Sequence, residues 1–248
     1  MIPRPTLAII GYGQFGRFLF KHLHRRFRVR IHDPAAAEAL RADGLASVPI
    51  EDAACCRIIV LAVPVQDLES VARRLGALAP PGTLFVDVAS VKLEPIRILS
   101  RALPAGSLVA YTHPLFGPTS APGTLDAKPL ALCSHESSPL NTRRLARFLA
   151  RRLRLNVIEC TPEHHDRQMA SVQGLTHFLA QSLRLMNLPD DQLATMAYQH
   201  LLAPARNLTA DSWPLFVTIA THNPYAAEVR REFLDALHSV EDRLRSGS

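Results

Sequence analysis

Two apolar runs end in residues suited to reaction chemistry: Asp87-Val88-Ala89-Ser90-Val91-Lys92 and Thr112-His113-Pro114-Leu115-Phe116-Gly117-Pro118. A neutral imidazole titrates near neutrality and can take a proton from a hydroxyl as hydride leaves the same carbon. His113 is therefore the candidate catalytic residue, against the plainer reading of a histidine that merely precedes a turn-forming proline. Ser90 either orients that imidazole or shares the hydroxyl's hydrogen bond. Lys92 pairs either with a substrate carboxylate or with a structural acid. A third cluster comprises Glu163-His164-His165-Asp166 and Gln173-Gly174-Leu175-Thr176-His177-Phe178. On one helix His165 and His177 would lie roughly 120° apart and about 18 Å along the axis, too far to share a metal ion. His177 can face a cleft with Gln173 one turn earlier on its side, while His165 and Asp166 fix the helix start near the positive end of its dipole.

These groups need a second reactant, and the N-terminal residues supply a place for one. Residues 7–33 read as an apolar strand, the turn Gly11-Tyr12-Gly13-Gln14-Phe15-Gly16, an amphipathic helix and a second strand ending in Asp33, 22 positions after Gly11. Gly11 permits the tight turn, Gly13 lets the backbone approach a pyrophosphate, and Gly16 lets helix and sheet pack closely. The helix N-terminus turns its N–H groups and positive dipole end toward the phosphates. The context of strand, helix and acid makes this a dinucleotide site rather than a bare glycine-rich turn. Asp33 can accept hydrogen bonds from both ribose hydroxyls and repels a 2′-phosphate, so NAD is favoured, with NADP the alternative. Arg28, Arg30 and Arg41 are close enough in sequence to reach a phosphate, but a solvated basic face is the preferred reading of them.

The elements that must position these residues alternate. Pro34 to Gly44 reads as a helix, Arg57 to Val63 as a strand covered on both faces, Val65 to Leu78 as a helix and Thr83 to Val88 as a strand. Glu94 to Leu103 (helix), Ser107 to Tyr111 (strand), and the strands Pro129 to Cys133 and Asn156 to Cys160 follow, with a basic helix between the last two. This is an α/β chain, with a Rossmann-type doubly wound sheet over residues 1–160. From residue 161 to 248 only helical spacing appears, over Asp166 to Met186, Asp190 to Leu202 and Tyr225 to Leu244. Some 87 residues of helix make a thin core, which predicts a dimerisation domain that packs on a partner subunit.

The 248-residue chain has 48% hydrophobic and 20% charged residues, a globular composition, and no apolar run approaches the roughly 18 residues of a membrane span. The first strand starts too early for a signal peptide, so the expected compartment is the cytoplasm. Cys55, Cys56, Cys133 and Cys160 form no CxxC pair and no metal-ligand spacing, which fits a reducing compartment and calls for no metal. The net charge of +6 comes largely from dispersed arginines. Arg143, Arg144, Arg147, Arg151, Arg152 and Arg154 alternate with Leu145, Phe148, Leu149 and Leu153 at helical spacing, so they form the outer face of an amphipathic helix rather than a nucleic-acid site.

With these motifs in order, the chain resembles the prephenate/arogenate dehydrogenase family of tyrosine biosynthesis. The shared pieces are GYGQFG, DVASVK with Ser90, THPLFGP with His113, and HDRQMASVQGLTHF with His165, Asp166, Gln173 and His177. THPLFGP, DVASVK and DSWPLFVTIATHNPYA look most like the arogenate-type enzymes, whereas Asp33 in HDP departs from the serine-bearing, NADP-associated segment of the plant form. The resemblance implies an NAD(P)-dependent oxidoreductase that removes hydride and carbon dioxide from a cyclohexadienol, arogenate or prephenate. It implies a homodimer built through the C-terminal helices. It assigns His113 and Ser90 to catalysis, His177, Gln173, Arg206 and Lys92 to substrate binding, and Gly11, Tyr12, Gly13, Gln14, Phe15, Gly16 and Asp33 to the cofactor. Arg206 is either a carboxylate-binding arginine or a surface residue at a helix end.

Other readings compete. A dehydrogenase of the 3-hydroxyacid or pyrroline-carboxylate type would place a catalytic lysine on a C-terminal helix or lack a histidine after the sixth strand; no lysine follows Arg154, which disfavours the lysine-based version. A nucleotide sensor without catalysis would have no use for Ser90, His113 and His177 together.

Overall fold

The computed structural model describes residues 4–134, 139–189, 193–207 and 212–247. The first strand, β1 (Thr6–Ile10), runs into Gly11, whose φ of +98° only glycine adopts readily; a Cβ there would meet the Ala62 carbonyl oxygen at 2.4 Å. The chain then forms α1 (Gln14–Leu23) and β2 (Arg28–His32). The helix expected over Pro34 to Gly44 divides into a single 3-10 turn at Pro34–Ala36 and α2 (Ala37–Ala42), and Gly44 leaves it in the left-handed region. There follow α3 (Ile50–Ala54), β3 (Ile58–Leu61), α4 (Val65–Leu78), β4 (Leu84–Asp87), α5 (Leu93–Ala102), β5 (Leu108–Pro114), β6 (Pro129–Cys133), α6 (Pro139–Arg152) and β7 (Asn156–Cys160).

The seven strands form one sheet in the order β2-β1-β3-β4-β5-β6-β7. All neighbours are parallel except β5 and β6, which pair antiparallel with His113 opposite Ala131. Alternate residues of β1 enter opposite cores. Ala8 and Ile10 join Ile59, Leu61, Leu68, Leu75, Phe85 and Leu99 on one face, while Leu7 and Ile9 join Phe18, Leu19, Val60 and Leu130 on the other. Each fully buried side chain of this kind stabilises the sheet by about 1.5–3 kcal/mol. On α6, Leu145 is buried while Arg144, Arg147, Arg151 and Arg152 stay exposed, as the amphipathic pattern predicts.

The chain divides into two compact units, Met1–His165 and Asp166–Ser248, so the division falls inside α7 (Pro162–Met169) rather than at residue 160. A π-helical segment, Ala170–Leu175, interrupts the long helix before α8 (Thr176–Leu185). Next come α9 (Met196–Asn207), α10 (Trp213–Thr221) and α11 (Ala226–Ser246). The start of the helix expected over Asp190 to Leu202 lies outside the described residues. Within the second unit Gly174 lets Ala226 approach, its virtual Cβ lying 3.8 Å from the alanine methyl. Asn223 Nδ2 donates to the Asp166 carbonyl at 2.7 Å, and the Arg167 guanidinium lies 4.5 Å above the Tyr225 ring. Among the described residues no helix is long and apolar enough to cross a membrane.

Candidate active site

The C-terminal ends of β4 and β5 are joined by a buried polar lock. Asp87 accepts from the Ala89 N–H at 3.0 Å through Oδ1 and from the Lys92 ammonium through Oδ2. Lys92 Nζ also donates to the Thr112 carbonyl at 2.6 Å, and Thr112 Oγ1 donates to the Asp87 carbonyl at 2.6 Å. Both charged side chains are completely buried. Burial pushes the Asp87 carboxyl up, against the pull of the Lys92 ammonium and the Ala89 N–H. Of the two partners open to Lys92, the structure provides the structural acid, which corrects its assignment to substrate binding: with no exposed surface, its ammonium closes the β4–α5 loop. That loop carries Ser90, which is partly exposed.

His113 sits one residue beyond Thr112, buried, near the end of β5. Its Nδ1 lies 3.0 Å from Nε2 of His165, the two rings meeting edge to face. His165 is buried as well, in the first turn of α7, where its N–H donates to the Thr161 carbonyl at 2.9 Å. Burial holds the His113 imidazole well below its ordinary pKa, and the neighbouring His165 and Lys92 add to that shift. The buried ring is thus held toward its neutral form, with Nδ1 engaged by His165.

The glycine turn lies along the same sheet edge, beyond the end of β1. Gly13 is the N-cap of α1 and has no side-chain cap, and nothing lies within 4 Å of a virtual Cβ there. At Gly16 a Cβ would meet the Gly11 carbonyl oxygen at 2.0 Å, so helix and turn touch through glycine alone. Asp33 follows β2 directly and accepts from the Tyr12 N–H at 2.7 Å and the Ala36 N–H at 3.1 Å. Tyr12 Oη donates to Asp43 at 2.7 Å, and Arg17 also bonds Asp43. Burial and the Asp43 carboxylate push the Tyr12 phenol up to about 12. An open approach at Gly13, an uncapped helix N-terminus and a fixed carboxylate fit a dinucleotide. Gln14 and Phe15 open α1 directly after the turn. Arg30 and Arg41 hydrogen-bond to the carbonyls of Asp52 and Ala37, and Arg28 is exposed.

Three other predicted residues belong to the second unit. Gln173 lies in the π segment, a distortion frequent at functional sites, and its Oε1 is buried with no hydrogen-bond partner among the described residues. His177 is buried in the first turn of α8, and Arg206 is exposed in the last turn of α9. Sequence reasoning placed His165 at the helix start but missed its contact with His113, 52 positions away. The available signal was the His164-His165 pair in the first turn of the helix that follows β7 of the same sheet.

Comparison with known proteins bears on the family. Residues 21–153 match the family model described as prephenate dehydrogenase, nucleotide-binding domain, and residues 182–248 match one described as TYRAAT1-like, C-terminal domain. The chain is 28% identical to arogenate dehydrogenase 2, chloroplastic, of Arabidopsis thaliana over 96% of its own length and 69% of that protein's. It is 27% identical to arogenate dehydrogenase 1 of the same plant, of which it spans 39%. The fold matches a prephenate dehydrogenase from A. aeolicus, solved with hydroxyphenyl propionate and NAD+, at a TM-score of 0.76 and 17% identity, covering 98% of this chain and 91% of that one. With its nucleotide-binding turn, its strand-end histidine and its matched sequence, this chain belongs to the prephenate/arogenate dehydrogenase family of NAD(P)-dependent oxidoreductases.

Proposed function

We propose that the protein converts arogenate to tyrosine in preference to prephenate to 4-hydroxyphenylpyruvate, uses NAD rather than NADP, and works as a cytoplasmic homodimer. The observation that carries the chemistry is the buried His113, held toward its neutral form with Nδ1 engaged by His165. Bound nicotinamide supplies the hydride acceptor. His113 Nε2 takes the hydroxyl proton, and Ser90 supports that contact from the neighbouring loop. Loss of carbon dioxide across the ring completes an aromatic phenol, so the protein's part is positioning and electrostatics rather than covalent chemistry. We assign His177, Gln173 and Arg206 to the substrate's polar groups; the unpartnered Gln173 Oε1 is an acceptor suited to an ammonium, which favours arogenate. The cofactor preference rests on Asp33, whose carboxylate would oppose a 2′-phosphate.

The dimer rests on α11, where Leu234, Leu237, Val240 and Leu244 form an exposed apolar stripe at helical spacing. A second copy of the chain presents the same stripe and would cover it through a two-fold interface.

The test follows absorbance of reduced nicotinamide with arogenate or prephenate, each with NAD or NADP. Turnover fastest with arogenate and NAD is expected, with kcat falling roughly 10²-fold to 10⁴-fold in His113→Asn. Silence in all four mixtures, or an unchanged rate in the variant, would overturn the reading.

A further inference from the structure

We infer that His165 is a positioning residue that sets the tautomer of His113, accepting a hydrogen bond from His113 Nδ1–H at its own Nε2 and so leaving His113 Nε2 without a proton, facing the reacting hydroxyl. The inference rests on the reading of His113 as the base and adds what makes it one.

The argument starts from proton counting. Two ring nitrogens 3.0 Å apart share one proton, so one ring donates and the other accepts. Were His165 the donor, His113 would accept at Nδ1 and carry its own proton on Nε2. It could then donate to a substrate hydroxyl but take nothing from it. Were both rings protonated, two like charges would meet in a buried site already occupied by the Lys92 ammonium, which Asp87 holds in place. Only donation from His113 gives a neutral pair with a basic Nε2.

The backbone holds His165 in position for this. Thr161 stands between β7 and α7, accepting the His165 N–H on its carbonyl and the His164 N–H on its hydroxyl at 3.1 Å. The first turn of α7 is thereby pinned to the end of the sheet. Among the described residues, the charged and titratable groups that act on His113 are His165 from α7 and Lys92 from the β4–α5 loop, with Asp87 from β4 paired to Lys92. Lys92 and Asp87 are committed to one another, which leaves His165 as the group that decides the tautomer. In the reaction, Nε2 gains the hydroxyl proton while Nδ1–H stays in its bond to His165, so the positive charge is spread toward a neutral imidazole. That supports His113⁺ less than a carboxylate would, and the proton is released readily for the next turnover.

The experiment is long-range proton–nitrogen correlation on protein labelled with 15N-histidine, without substrate, with His113 assigned by its loss in His113→Asn. The expected spectrum has His113 protonated at Nδ1, changing to Nε2–H in His165→Phe. Nε2–H in the unsubstituted protein would overturn the inference whatever the activity assays give, which separates its failure from failure of the functional reading. Kinetics give a second readout. His165→Gln offers an amide oxygen to the same proton and should keep most of kcat. His165→Phe should lose kcat by roughly 10²-fold to 10⁴-fold, as a wrong tautomer does, with KM little changed. Equal losses in the two variants would reduce His165 to a packing role.

Discussion

In the first unit the bulkiest fully buried side chain is a lysine, Lys92, whereas in the second Leu185, Met196, Trp213 and Leu244 stand 64–89% exposed. The sheet is covered on both faces by its own helices, and the Lys92–Asp87 ion pair is buried within it as a structural lock. The helices of the second unit have too little chain to cover one another. The first unit thus holds the His113 imidazole and the Lys92 ammonium on buried partners, while the second leaves large apolar side chains exposed, the surface that the proposed dimer would cover.

Breaking the lock should have the largest effect. Lys92→Met leaves the Asp87 carboxylate buried and unpaired, and chemical denaturation should register a loss of about 3–5 kcal/mol. Lys92→Met combined with Asp87→Leu removes both charges and should recover much of that loss. If the single variant is as stable as the parent, the lock is not what holds β4 to β5.

The second unit is tested from its outer face. Leu237→Lys with Leu244→Lys should convert dimer to monomer in analytical ultracentrifugation. The loss in stability should be about 1.5–3 kcal/mol for each leucine that the interface buries. A parent chain that sediments as a monomer at micromolar concentration would remove the asymmetry between the units.

How much of this was legible in the sequence differs between the units for the same physical reason. The bounds of α4, β6 and β7 were read to the residue, α4 from its two-sided helical period and β6 and β7 as short strand-forming runs, the first buried along most of its length and the second a largely exposed edge strand. The glycine turn, Asp33, and the sheet-edge placement of Ser90 and His113 were equally plain, since local turn chemistry fixes them. The antiparallel pairing of β5 with β6 was not, because strand direction depends on the long connection between them. The five-residue α3 is too short to show a period, and α10 is apolar nearly all round, so it shows no face. The burial of Lys92 and the contact of His113 with His165 are tertiary facts between distant positions, and the residue types alone left both open.

Acid should separate the units more gently. Unfolded, the His113 imidazole takes up a proton near a pKa of about 6.5; folded, it resists until lower pH. Between those limits the unfolded chain binds more protons, so stability rises with pH and is lost as pH falls below about 6.5. The contribution of this one group is at most about 1.4 kcal/mol per pH unit. Thermal melts from pH 7.5 to 5 should show a shallower decline in His113→Asn than in the parent. Parallel declines would mean that the buried ring is not held neutral.

The smallest effect lies at a helix end in the second unit. Ser212 caps α10, its Oγ accepting from the Leu215 N–H at 3.3 Å, with Pro214 in the first turn where its missing donor costs nothing. Ser212→Ala leaves that N–H to water and should cost about 1 kcal/mol. Because the cap is exposed and local, the loss should leave kcat and the His113 tautomer unchanged. A cap variant that lowers kcat would show that the start of α10 bears on the chemistry beyond the substrate-binding residues proposed for the second unit, and the contrast between a buried sheet and a surface-providing bundle would then fail at its least stable point.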